Sequence, residues 1–199
     1  LILAYKSGIF PWYNEDEPPL WWSPSNRMVM KPGEMRIPKS LRNIINRNLF
    51  EVKADTAFEQ VIDHCQNIKR PGQEGTWLND EMKAAYIQLH KLGVAHSIEC
   101  WQNGELVGGL YGVSLGKIFC GESMFSLASN ASKVAFAKLN QKLLELNFEL
   151  IDCQVHNPFL ESLGLDAATA AGVAAQIGGG FAAGGQAVDD QISALYPIF

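Results

Sequence analysis

The chain has 199 residues, 47% of them hydrophobic and 19% charged, with a formal net charge of −5. That length accommodates one full domain and a small second one, and that composition excludes global disorder. No apolar run approaches the ~20 residues of a membrane helix, so no membrane partner is expected, and the overall acidity argues against nonspecific nucleic-acid binding by the whole surface.

The sequence opens at Leu1 rather than at a Met and reads as truncated at its start. Residues 1–7 read as the end of a helix stopped by Gly8. A Pro- and Trp-rich stretch follows, from Pro11 to Pro24. Ser40 is the predicted cap of a short helix with Leu41, Ile44 and Ile45 on its apolar face. Residues 1–48 thus read as a small N-terminal lobe.

The pattern then becomes regular. Phe50 to Ala54 alternates like a strand. Thr56 is the predicted cap of a helix carrying Phe58, Val61, Ile62 and Cys65 on one face. Lys69 to Gly75 reads as a loop. Asn79 caps a second helix, with Met82, Ala85, Tyr86 and Leu89, which Gly93 ends. A strand is predicted over His96–Trp101, a tight hairpin at Asn103-Gly104, and further strands over Leu106–Val113 and Ile118–Phe125. A helix runs from Ala131 to about Leu146, and Phe148 to Val155 reads as another strand. Residues 49–164 form the catalytic domain in this reading. From Leu165 to Phe199 the composition shifts abruptly to Ala and Gly, so 165–199 reads as a tail in which Ala167 to Ile177 has a helical pattern.

This order of elements predicts an α+β fold: a mixed, mostly antiparallel sheet with flanking helices, as in the Gcn5-related N-acetyltransferases. Coenzyme A enzymes of that fold hold a pyrophosphate on a Gly-rich turn before the helix after the fourth strand. The matching stretch here, Phe125 to Lys133, contains no glycine, and Asn130 and Ser132 look like helix-capping residues. Cys65, Cys100, Cys120 and Cys153 lie singly in apolar segments, as buried reduced thiols of a cytoplasmic protein do. The histidines show no metal-ligand spacing, so neither a metal nor another cofactor is expected.

A series of motifs occurs in order: Gly8-Ile9-Phe10-Pro11-Trp12, Trp21-Trp22-Ser23-Pro24, Gly75-Thr76-Trp77, His96-Ser97-Ile98-Glu99, Gly108-Gly109-Leu110-Tyr111-Gly112, Gly121-Glu122-Ser123-Met124-Phe125-Ser126, Asn130-Ala131-Ser132-Lys133 and Ile151-Asp152-Cys153-Gln154. In sequence and spacing they resemble the bacterial leucyl/phenylalanyl-tRNA–protein transferase family, from about residue 1 to Gly164. The resemblance implies transfer of Leu or Phe, with Met as a further candidate donor, from aminoacyl-tRNA to proteins with an N-terminal Arg or Lys, which marks them for degradation.

Strand alternation puts Asp152 and Gln154 on one face, Glu122 and Met124 on one face, and Glu99 and Trp101 on one face. The alternative for Asp152 and Gln154 is a pair of satisfied core polar groups. By resemblance, Asp152 and Gln154 are catalytic: Gln154 accepts a hydrogen from the attacking α-amine, and Asp152 orients and polarises its amide. Glu122 faces the cationic side chain of the acceptor. Met124 and Leu110 line the donor side-chain pocket, for which plain core packing is the alternative. Trp22, Trp101 and Asn157 hold the terminal adenosine, while Trp12, Trp21 and Trp77 read as structural. A basic stretch between Arg27 and Arg47 offers Lys31, Arg36, Lys39 and Arg42 to tRNA phosphates. Two other readings stay open at this point: a fold-related acyltransferase with a different donor, and an inactive fragment that binds aminoacyl-tRNA. The oligomeric state is not legible.

Overall fold

The computed structural model describes residues 1–13, 17–68, 78–169, 172–175 and 177. A short helix, α1 (Ile2–Lys6), leads into a ribbon of β1 (Phe10–Pro11) and β2 (Trp21–Trp22). Then follow β3 (Asn26–Met30), α2 (Lys39–Asn46), β4 (Glu51–Ala54), α3 (Phe58–Asn67), α4 (Asp80–Lys91), β5 (Ala95–Gln102), β6 (Glu105–Leu115), β7 (Ile118–Ser126), α5 (Ala131–Glu145), β8 (Leu150–Asp152), α6 (Pro158–Ser162) and β9 (Asp166–Thr169). The main sheet has the order β4-β5-β6-β7-β8-β3-β9. Its joins are antiparallel except for the parallel pair β7–β8. This is the mixed, mostly antiparallel α+β arrangement that the order of elements predicts.

Local chemistry explains most boundaries. Asn79 caps α4, its Oδ1 accepting from the Met82 N–H at 2.9 Å. Asn103 and Gly104 adopt positive φ (54° and 81°), as a two-residue hairpin turn demands. Gly108 has no room for a side chain: a Cβ there would collide with Ala131, so α5 packs directly on β6.

The other predicted side-chain caps do not form. Pro38, already extended at ψ 155°, occupies the N-cap of α2, and its carbonyl accepts from the Arg42 N–H. Ser40 therefore lies inside the helix. Ala57 takes the N-cap of α3, because the Thr56 hydroxyl donates to Glu99 Oε2 at 2.8 Å instead. Asn130 sits at the N-cap of α5 in a left-handed conformation without a side-chain cap bond, and Ser126 Oγ accepts from the Ser132 N–H. The predicted loop over Lys69 to Gly75 lies outside the described residues.

Core residues divide between the sheet's faces. Tyr5, Val61, Ile62, Tyr86 and Tyr111 pack together on the side of α3 and α4. Met28, Leu41, Leu110, Phe136 and Leu143 pack on the side of α5. Sequence boundaries at 48 and 165 do not coincide with breaks in this sheet. Residues 26–30 supply β3 from the predicted front lobe, and 166–169 supply the neighbouring edge strand β9 from the predicted tail. Ala167 to Thr169 are therefore strand rather than helix; among the described residues of this segment, helical conformation appears at 172–175 and 177. Pairing with β3 gives this Ala-rich segment a regularity that its own propensity does not. Among the described residues, no helix is long and apolar enough to cross a membrane.

Candidate active site

The site lies where β7 and β8 part. They pair only at Ile118–Leu150, Phe119–Ile151 and Cys120–Asp152. Just past the last pair, both strands break their regularity. On β7 the register with β6 shifts so that Gly112 faces Gly121 and Tyr111 faces Ser123, leaving Glu122 as the extra residue of a β-bulge. On the other side β8 ends at Asp152, and Gln154 takes a left-handed φ of 60°. The predicted strand to Val155 thus stops short, and simple alternation does not place Asp152 beside Gln154. Two backbone bonds to β3 hold the turn: Cys153 N–H to the Met28 carbonyl at 2.7 Å, and Met28 N–H to the Gln154 carbonyl at 3.2 Å.

Glu122 and Gln154 meet across this gap. Gln154 Nε2 donates to Glu122 Oε1 at 2.7 Å. Tyr86 donates to Glu122 Oε2 at 2.9 Å, and the Tyr86 hydroxyl lies 2.7 Å from that of Tyr5. Burial pushes the Glu122 carboxyl up to about 7, against the hydrogen bonds from Tyr5, Tyr86 and Gln154 that lower it. Burial and the Glu122 charge push both phenols well above their ordinary range, so they remain proton donors. Because an ionised carboxylate only accepts, it fixes the Gln154 amide with the NH2 end inward. Oε1 is then the end left to accept a hydrogen.

Asp152 is fully buried and holds Gln154 differently from the expectation. Its Oδ1 accepts the Gln154 backbone N–H at 2.9 Å, so the orienter of the side-chain amide is Glu122 and not Asp152. The Asp152 carboxylate pairs with Arg27, buried from β3.

A cavity of about 320 Å³ opens at the gap. Its lining includes the apolar side chains of Leu110, Met124, Phe136 and Leu139 and the polar ones of Glu122, Gln154, His156 and Asn157. Glu122 and Met124 both reach it, but not by sharing a strand face: the bulge turns Glu122 toward Tyr86, whereas Met124 packs with the α5 cluster. Asn157 lines the cavity while capping α6, its Oδ1 accepting from the Phe159 N–H at 2.8 Å. Asp152 is not part of the lining.

The tryptophans are distributed unequally. Trp12, read from sequence as structural, lines the cavity. Trp22 stands beside it, with ring centroids 6.3 Å apart and Trp22 Nε1 donating to the Trp12 carbonyl at 2.6 Å. Trp101 is not brought to the cavity. It shares a face with Glu99, as alternation predicts, but packs with the α3 side under Lys53. Trp77 lies outside the described residues.

Lys31, Arg36, Lys39 and Arg42 are all exposed, and none joins an ion pair among the described residues. Arg36 is tied to the end of α6, its backbone N–H donating to the Leu163 carbonyl at 2.8 Å.

The family model for leucyl/phenylalanyl-tRNA protein transferase matches residues 29–176, and the model for the N-terminal domain of the same enzymes matches residues 1–25. The chain belongs to the leucyl/phenylalanyl-tRNA protein transferase family. A leucyl/phenylalanyl-tRNA–protein transferase of Flavobacterium johnsoniae is 58% identical over 164 residues, covering 82% of this chain and 77% of that one. One from Flavobacterium psychrophilum is 53% identical, covering 82% and 78%. Among solved structures, L-PGS from Bacillus licheniformis superposes with a TM-score of 0.45 at 14% identity, covering 72% of this chain and 57% of that one. This family is one of aminoacyltransferases, and the match extends past Gly164, where the sequence resemblance ended.

Sequence reasoning missed Arg27, Tyr5 and Tyr86. In sequence Arg27 reads as the edge of a basic stretch, although it precedes Met28-Val29-Met30, and a cation in so apolar a strand needs a buried carboxylate. Tyr86 carried the signal of an apolar helix face, which does not reveal that its hydroxyl meets Glu122.

Proposed function

We propose that the chain transfers Leu or Phe from aminoacyl-tRNA to the α-amino group of acceptor proteins with N-terminal Arg or Lys. In the family this modification marks proteins for degradation, and we place it in the cytoplasm. The observation that carries the reading is the cavity itself, whose lining combines apolar Leu110 and Met124 with the Gln154 amide held by Glu122.

The donor is an ester, and its aminolysis is downhill, so placing the amine against the carbonyl is the main task. Leu110 and Met124 take the donor's side chain; a polarizable methionine suits a pocket for more than one apolar group. Gln154 Oε1 accepts one hydrogen of the attacking amine and aims its lone pair at the carbonyl carbon. The carbon–nitrogen bond forms, the bond to the ribose oxygen breaks, and the proton lost by nitrogen balances the one gained by that oxygen. An amide is too weak a base to take the proton outright, so Gln154 orients rather than deprotonates.

Glu122 keeps a part in acceptor choice, but through its charge. A cationic side chain entering the cavity stabilises the ionised carboxylate, which is the form that holds Gln154. Trp22, with Trp12 beside it, offers the terminal adenine a face, worth ~1–3 kcal/mol per stacked base. Asn157 retains its Nδ2 for the ribose or base. Lys31, Arg36, Lys39 and Arg42 supply phosphate contacts further along the tRNA.

A coenzyme A donor is disfavoured because Ser126 engages the N–H of Ser132 at the start of α5 and Gly108 packs against Ala131 there, leaving no Gly-rich cradle. The test is incubation with Phe-charged tRNA and a peptide beginning with Arg, read by mass spectrometry. Addition of one Phe residue to the peptide supports the reading. No addition, or addition from an acyl-coenzyme A instead, would refute it.

A further inference from the structure

Arg27 is engaged on every side. Its Nε donates to Asp152 Oδ1 at 3.2 Å and its Nη2 donates to Oδ2, a two-point clamp. Its Nη1 donates to the Gly8 carbonyl at 3.1 Å. Its Cζ lies 4.8 Å above the centroid of the Phe10 ring, which lines the cavity. The residue is 2% exposed. One planar guanidinium thus joins the turn after α1, the cavity wall, β3 and the end of β8.

The clamp matters because of what Asp152 holds. Gln154 sits at φ 60°, a conformation a non-glycine residue keeps only when its surroundings enforce it. Besides the backbone bonds to Met28, Asp152 Oδ1 supplies side-chain enforcement through the Gln154 N–H. A carboxylate free to rotate would release it, and the amide would swing away from Glu122. We propose that Arg27 is a positioning residue for acyl transfer: by clamping Asp152 against Gly8 and Phe10, it keeps Gln154 aimed into the cavity. This inference rests on the role given to Gln154 above.

Four proteins test it in the Phe-tRNA and Arg-peptide assay: the wild type, Arg27→Lys, Gln154→Ala and the double variant. Lysine keeps the charge but cannot span both carboxylate oxygens and the Gly8 carbonyl. We expect kcat to fall about 10²-fold in Arg27→Lys, as for a misplacement of about 1 Å, with the KM for charged tRNA little changed. The double variant should be no slower than the worse single one, because Arg27 acts through Gln154. A purely structural Arg27 would instead give losses that multiply, and that result overturns the proposal. If Arg27→Lys does not fold, the Arg27→Met and Asp152→Leu pair replaces it, since apolar substitution of a whole buried ion pair is often neutral for stability. A folded pair variant with undiminished kcat overturns the proposal equally. Absence of transfer by the wild type would overturn the functional reading, and this inference with it; transfer by the wild type with full kcat in folded Arg27→Lys overturns the positioning role alone.

Discussion

Two buried polar clusters sit on the same sheet, and one of them, at Glu122 and Gln154, lines the cavity described above. At the β4–β5 end, Asp55 accepts from the Ser97 N–H at 2.8 Å and meets His96 Nδ1 at 2.7 Å. Glu99 accepts from the hydroxyls of Ser97 and Thr56. Here the carboxylate oxygens are taken up by neighbours within the fold. At the β7–β8 gap, Glu122 is equally well bonded, yet its partner Gln154 keeps an acceptor for something that enters. Both clusters are built around a buried carboxylate. A left-handed residue occurs in both, Asp55 at φ 56° and Gln154 at φ 60°. What separates them is pairing: β4 and β5 stay in register from Glu51–Trp101 to Ala54–Ile98, whereas β7 and β8 part beyond Cys120–Asp152 at the bulge of Glu122.

This contrast can be broken by substitution. Asp152→Ala has the largest expected effect, because it strands Arg27 as a buried unpaired cation; the loss is ~3–5 kcal/mol in denaturant unfolding. A loss near zero would mean that solvent reaches Arg27 and that the clamp is not closed. Glu99→Gln should cost less, ~1–3 kcal/mol, by leaving hydroxyls of the closed cluster poorly paired. Its folded fraction should transfer Phe at the wild-type kcat. A specific loss of turnover there would show that the two clusters are coupled and that the division drawn here is false.

Smaller effects sharpen the comparison. The folded protein holds a proton on Glu122 up to about 7, whereas the ordinary value is 4.5. The folded state therefore binds more protons across that interval, and Glu122 makes stability fall as pH rises from about 4.5 through about 7. Urea titrations of wild type and Glu122→Gln should differ by that slope; parallel curves would mean that Glu122 titrates normally. Last, replacing Lys31, Arg36, Lys39 and Arg42 by Ala should weaken charged tRNA and flatten its salt dependence by roughly 0.7 to 0.9 per lost contact. Binding of a minimal aminoacyl-adenosine should hardly change, and an unchanged salt slope for tRNA would make these residues a solvated face only.

Most elements were legible because hydrophobic periodicity and turn residues act locally. Asn79 and Asn103-Gly104 announced themselves by chemistry that needs no tertiary partner. Ser40 and Thr56 misled because a cap is a competition: Pro38 was better placed for one helix, and Glu99 claimed the hydroxyl of Thr56. The strand β9 was invisible in Ala-rich sequence, since its order comes from β3. In the site, motif resemblance pointed to Gln154, Asp152 and Glu122, but alternation gave the wrong geometry for them. Alternation assigns faces along an unbroken strand; it contains no information about a bulge at Glu122, a left-handed Gln154 or which face of Trp101 looks toward a cavity. Arg27 became meaningful only when β3 was placed beside β8, a contact between distant parts of the chain.

The most direct test of aminoacyl transfer through Gln154 is a single-turnover experiment. Enzyme in excess is mixed with Phe-charged tRNA and saturating Arg-started peptide, and the phenylalanyl-peptide is followed in time for wild type and Gln154→Ala. The account predicts product from the wild type and a rate about 10²-fold lower from the variant, with charged tRNA bound equally well by both. A variant as fast as the wild type would contradict it.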